Sequence, residues 1–205
     1  MKKVMLFIVS AVFSVTANAA SFDFAAIANM GEYGAPSIGF TDGGITVTAT
    51  APGANAYLDA GNAGLGVCQV LGGTGGDQCV PGNDDNIESG ENLVLTFNGE
   101  IELTEFSFVN GAHQLDFTDG FFSLFIDGIA AFTNEALANG VFGVFTGSWI
   151  GTEFSFVNTS ADENNTAQQF YLSGVTAVPV PAALFLFAPA LLGFMGLRRK
   201  AKLAA

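Results

Sequence analysis

The sequence predicts an all-β protein, a jelly-roll-like β-sandwich preceded by an N-terminal signal peptide and followed by one C-terminal transmembrane helix. Three observations carry that prediction. Short runs rich in β-branched and aromatic residues alternate with glycine, asparagine and aspartate from residue 20 to residue 177. The heptapeptide Thr-Glu-Phe-Ser-Phe-Val-Asn occurs twice, at Thr104–Asn110 and at Thr152–Asn158. Long charge-free apolar stretches stand only at the two ends.

The first element, residues 1–19, is read as a secretory signal peptide. Lys2 and Lys3 precede an apolar stretch from Val4 to Val15, and Ala17-Asn18-Ala19 supplies the small residues of a cleavage site, with the cut expected after Ala19. A stretch of 12 residues is too short for a helix to cross a hydrocarbon core of about 30 Å. Export is the expected consequence.

Residues 20–177 are then one acidic domain of eight to ten strands. Strands are expected at Ile45–Thr48, Leu93–Phe97, Phe121–Ile126 and Gln169–Leu172, with a helical turn near Glu135–Ala138. In an extended chain alternate side chains share a face, so Phe106 and Phe108 point one way while Glu105 and Ser107 point the other, and Phe154 and Phe156 repeat the arrangement. One wet face and one phenylalanine-lined face suit two packed sheets. Most of the 21 phenylalanines are expected in that core. Trp149, Tyr33, Tyr57 and Tyr171 fit either the core or an exposed sugar-stacking platform.

Charge divides the chain more sharply than any motif. All six Lys and Arg residues lie at the termini, and all 19 Asp and Glu lie between them, so residues 20–177 carry a formal charge of −19. Nucleic acid and anionic lipid, which are held by Lys and Arg, are excluded as partners. Such a field either keeps the domain soluble or gathers divalent cations. Within it, Cys68 and Cys79 are expected to form a disulfide, the ordinary state of paired cysteines in an exported protein. The adjoining stretch Asp77–Glu91 is a merely solvated loop or a Ca²⁺ site, with Asp84, Asp85, Glu88 and Glu91 as the candidate ligands, because Ca²⁺ takes carboxylate oxygens from flexible loops.

No catalytic residue is assigned, and the chain is expected not to be an enzyme. Its one histidine, His113, lies in a loop, and no Gly-x-Ser-x-Gly elbow is present. The glycine-rich run Leu71–Gly76 lacks the lysine that a phosphate loop uses.

The last element, residues 178–205, has three parts in order: Val178-Pro179-Val180-Pro181-Ala182, a charge-free stretch that completes the 20 residues from Val178 to Leu197, and Arg198, Arg199, Lys200 and Lys202. Twenty residues at about 1.5 Å each just span a bilayer, and the trailing cations are expected on the cytoplasmic side. This arrangement resembles the PEP-CTERM class of exosortase sorting signals, in the variety whose core reads Val-Pro-x-Pro-Ala (VPLPA-CTERM-like), with Val180 between the prolines where the namesake has glutamate. The resemblance implies export, insertion in the inner membrane of a Gram-negative bacterium, and recognition by an exosortase-type processing enzyme. Val178, Pro179, Pro181 and Ala182 would then be the sorting motif, and Arg198, Arg199 and Lys200 the basic stop. Removal of the tail and a permanent anchor are both open. The middle of the chain, Gly64–Cys68 and Glu91–Phe97, is similar to the small exported β-sandwiches that carry such tails, a class associated with exopolysaccharide and biofilm production.

These readings converge on a cell-surface or extracellular-matrix structural protein. A glycan-binding module, Ca-dependent and tail-anchored in the membrane, is the alternative, and extracellular polysaccharide is a candidate partner for either.

Overall fold

The computed structural model describes residues 18–73, 75–162 and 165–180. The signal peptide up to Ala17, and Pro181, Ala182, Arg198, Arg199 and Lys200 of the expected sorting signal, lie outside them. Among the described residues no helix is long and apolar enough to cross a membrane.

These residues form an all-β, sandwich-like unit of thirteen strands. In chain order they are β1 (Ala20–Asp23), β2 (Tyr33–Ala35), β3 (Ser37–Asp42), β4 (Ile45–Thr50), β5 (Asn55–Asp59), β6 (Gly64–Cys68), β7 (Leu71–Gly72), β8 (Gln78–Cys79), β9 (Asn92–Asn110), β10 (Phe121–Ile126), β11 (Ile129–Ala136), β12 (Val144–Asn158) and β13 (Phe170–Pro179). A five-residue helix, α1 (Phe24–Ala28), follows β1, started by the Asp23 carboxylate accepting from the Ala26 N–H at 2.8 Å. Five residues show no helical period, so the sequence did not reveal α1. The turn expected near Glu135–Ala138 is a 3₁₀ turn at Leu137–Asn139.

The two longest strands build the layers. Leu93–Phe97, at the start of β9, lies between β4 and the second half of β12, whose outer neighbour is β10 and then β11. Ile101–Asn110, at the end of β9, lies instead between β13 and the first half of β12. Between these stretches the register jumps, with Gly151 opposite Ile101 but Glu153 opposite Thr96, so that Phe97–Glu100 on β9 faces Thr152 alone on β12. Extra residues on one strand of a pair bend it, and here the excess turns both strands from one layer into the other. β13 extends the second layer to β1 on one stretch and to β6, β5 and β2 on another.

Both copies of the repeat are strand, one in each layer. Phe106, Phe108, Phe154 and Phe156 are wholly buried, and the layers meet through them: the Phe106 and Phe156 rings lie 5.3 Å apart, Phe108 and Phe156 5.8 Å, and Phe106 and Phe122 5.9 Å, all edge to face. Edge-to-face contact lets the positive rim of one ring meet the negative face of the next. Trp149 packs 4.9 Å from Phe106, and Tyr57 and Tyr171 are buried. The aromatic platform that would have stacked sugars is therefore not presented; of those four residues only Tyr33 stands exposed.

Candidate functional site

The β5–β6 hairpin departs from the alternation of a one-sided strand: both strands are buried along nearly their whole length. Ala56, Leu58, Leu65 and Val67 face the main core, while Tyr57 and Cys68 pack with Cys79 and Leu71 on the opposite face. What covers that second face is the segment from residue 69 to residue 91. The Cys68–Cys79 disulfide, with Cα atoms 5.7 Å apart, fastens its beginning, as the sequence predicted. Further on, the Val67 N–H donates to the Asn86 carbonyl at 3.3 Å and the Ile87 N–H to the Phe170 carbonyl at 2.8 Å, which lays Asp85 and Asn86 across β6. Gly66 makes room for them, since a Cβ there would stand 1.9 Å from the Asp85 carbonyl oxygen.

Beneath this cover a cleft of about 490 Å³ opens, lined by Glu32, Asp59, Asp85, Glu88, His113 and Tyr171 among others. Asp59 and Asp85 are only 7 % and 8 % exposed. The Tyr171 hydroxyl donates to Asp85 Oδ1 at 2.6 Å, and the Tyr57 hydroxyl donates to Glu32 Oε1 at 2.5 Å. Gln169 Nε2 donates to Glu88 Oε1 at 3.0 Å. Burial, and then the neighbouring charge of Asp85, push the Asp59 carboxyl up to about 6, and burial raises Asp85 as well. The same burial, with carboxylates alongside, raises both Tyr57 and Tyr171, so their hydroxyls stay protonated and act as donors.

His113 is the one basic side chain here. Its backbone is left-handed, at φ 60°, held by the Asn110 side chain, whose Oδ1 accepts from the N–H groups of Ala112 and Gln114 at 2.9 and 3.0 Å. Nδ1 lies 3.1 Å from the Gly61 carbonyl and Nε2 lies 3.0 Å from Asp59 Oδ2, while the ring stands edge-on to Tyr171 at 5.2 Å. A carbonyl only accepts, so Nδ1 carries a hydrogen; the contact at Nε2 then needs one more proton between imidazole and carboxylate. On its other side His113 borders a second cleft of about 510 Å³, where Ser107 Oγ and Ser173 Oγ lie 2.8 Å apart.

The four residues expected as Ca²⁺ ligands are divided by the fold. Asp85 and Glu88 line the cleft, whereas Asp84 Oδ2 accepts from the Gln69 N–H at 3.2 Å, and Glu91 accepts from Gln69 Nε2 and, at 2.9 Å, from the Glu88 N–H. Asp84 and Glu91 thus shape the loop, and burial raises the Glu91 carboxyl. Among the described residues, Cys68, Cys79 and Asp84 bring three potential ligand atoms within 4.8 Å, but the two sulfurs are bonded to each other and hold no thiolate for a metal. Asp59 and Glu32 were not singled out by the sequence, and Tyr171 only as a core or sugar-stacking aromatic, because no short-range pattern joins them.

Val178 and Pro179 of the expected sorting motif are the last residues of β13, opposite Glu102 and Ile101, and the Val180 N–H donates to the Glu100 carbonyl at 3.2 Å. They are extended, as two prolines require, but half-buried and paired rather than openly accessible.

The chain matches no protein-family model, no curated protein and no solved structure.

Proposed function

We propose that this chain is an exported structural protein of the cell surface or extracellular matrix, sorted through its C-terminal signal, whose exported part is a jelly-roll-like acidic sandwich. The observation that carries the reading is how the aromatic residues are spent. Trp149, Tyr57 and Tyr171 pack inward, so that, apart from scattered apolar side chains such as Met30, Ile129 and Phe142, the outside is left to carboxylates, hydroxyls and glycines, a surface suited to standing hydrated in a polymer matrix. The glycan-binding alternative loses the stacking platform it needed. It keeps Tyr33 and the polar clefts on either side of His113.

Intact mass spectrometry of the protein from its native outer fraction and from the culture medium tests this reading. The expected mass begins at Ala20, ends near residues 178 to 183, and rises by about 2 Da on reduction of the disulfide. A mass that includes the tail through Ala205 would replace processing with permanent anchoring, and a mass that retains Met1 would overturn export by this signal.

A further inference from the structure

We propose that the cleft between β5 and the Asp85–Glu88 segment is a Ca²⁺ site, with Asp59, Asp85 and the side-chain oxygen of Asn86 as its inner ligands and Glu32 and Glu88 at its rim. This ligand set differs from the one the sequence suggested, since Asp84 and Glu91 are engaged by Gln69 and the loop backbone. Two observations on different atoms carry it.

The first is the concentration of buried negative charge. Asp59 and Asp85 are both more than nine-tenths buried, and Glu32 and Glu88 border the same space. Carboxylates removed from water ordinarily stand beside cations, in ion pairs or at metals. Here the described residues contain no Lys or Arg at all, and the one basic side chain, His113, reaches Asp59 only. Tyr171 gives Asp85 a hydrogen bond but no charge.

The second is a neutral oxygen. Asn86, 4 % exposed, lines this cleft, and its Oδ1 is a buried acceptor with no hydrogen-bond partner. A buried acceptor left unmade costs about 1–3 kcal/mol, and native proteins rarely leave one without a use. Carboxylates joined by an amide oxygen are a donor set that a hard cation takes and that thiolate-seeking metals do not.

No three of the cleft's carboxylate and imidazole ligand atoms lie within 4.8 Å of one another, so binding has to draw the ligands inward and displace His113 from Asp59. A site that must assemble is weak, and the expected dissociation constant falls at about 10⁻⁴–10⁻³ M, the range of extracellular Ca²⁺ modules. Its usefulness at that affinity rests on the export reading above; the binding itself does not.

Terbium luminescence on the full chain tests the site. Tb³⁺ takes the place of Ca²⁺, and a Tb³⁺ ion bound at Asp85 sits beside the Tyr171 hydroxyl and is sensitised by excitation of tyrosine. The expected result is tyrosine-sensitised emission that millimolar Ca²⁺ displaces and equal ionic strength of NaCl does not, with Asp85→Asn weakening Tb³⁺ binding by roughly tenfold or more and Glu102→Gln, on the far strand β9, leaving it unchanged. Absence of sensitised emission from the wild-type chain overturns the site without recourse to any variant. Emission that NaCl removes as well as Ca²⁺ does, or that Glu102→Gln weakens as much as Asp85→Asn, also overturns it and shows diffuse attraction by the domain's charge. Failure here leaves the export reading standing, because the mass measurement is independent of cations.

Discussion

At the scale of single residues, His113 is held at three points. It is fixed by a left-handed backbone, a carbonyl at Nδ1 and a carboxylate at Nε2. Gly61 makes the first of these contacts feasible: its φ is 72°, and a Cβ there would stand 2.9 Å from His113 Nδ1. Gly61→Ala is therefore expected to destabilise the domain by about 1–3 kcal/mol, from backbone strain and from expulsion of the ring. The measurement is urea denaturation together with the His113 Cε1–H signal in NMR. A variant with unchanged stability and an unmoved signal would show that the ring is not held at Gly61. The sequence made His113 conspicuous as the sole histidine but gave no partner for it, because the contact to Gly61 spans 52 residues and that between Tyr171 and Asp85 spans 86. Phe106, Phe108, Phe154 and Phe156 were legible for the opposite reason: an alternating pattern is local, and it states which face is buried.

Among the elements, the strands dense in β-branched and aromatic residues were readable, and the covered hairpin was not. β10 matches the predicted Phe121–Ile126 run, and β4 and β9 contain theirs. β5 and β6 have no wet face to produce alternation, since the disulfide-closed segment lies over them. Nothing local in Gly64-Leu65-Gly66 explains its second glycine, whose cause is the backbone of Asp85 pressing on the strand at Gly66. That segment has little secondary structure of its own beyond the two-residue strands β7 and β8, so the covalent closure carries much of its order. Replacing both Cys68 and Cys79 by serine is expected to cost roughly 3 kcal/mol on the chain-entropy account, read from urea denaturation. Hydrogen exchange should rise first at Gln69–Asn86. Uniform exchange across all the strands would instead place the lost stability in the core.

For the whole molecule, the balance of charge sets a direction for pH dependence. Asp59 titrates near 6 in the folded chain, and Asp85 and Glu91 are also raised, each mainly by burial, whereas free carboxylates titrate near 4. The folded state holds these protons more tightly than the unfolded one. The stabilising contribution of Asp59 is thus complete below about pH 4 and is lost as pH rises through about 6, and Asp85 and Glu91 act in the same direction. Repulsion within a domain of formal charge −19 acts in the same sense. Asp119, lowered by the Gly120 N–H, acts oppositely but is fully exposed. In metal-free buffer the melting temperature is therefore expected to be higher at pH 5 than at pH 7.5, and a scan that climbs toward neutral pH would refute this account of the buried carboxylates. One further consequence concerns how the molecule could be parted from its tail. Because β13 remains in register through Pro179, and Val180 is still tied to Glu100, a cut upstream of Val180 would first require the strand to peel from β9. Scission beyond that rung would leave every ladder intact, so the sheet acts as a ruler that marks the shortest product able to keep its fold.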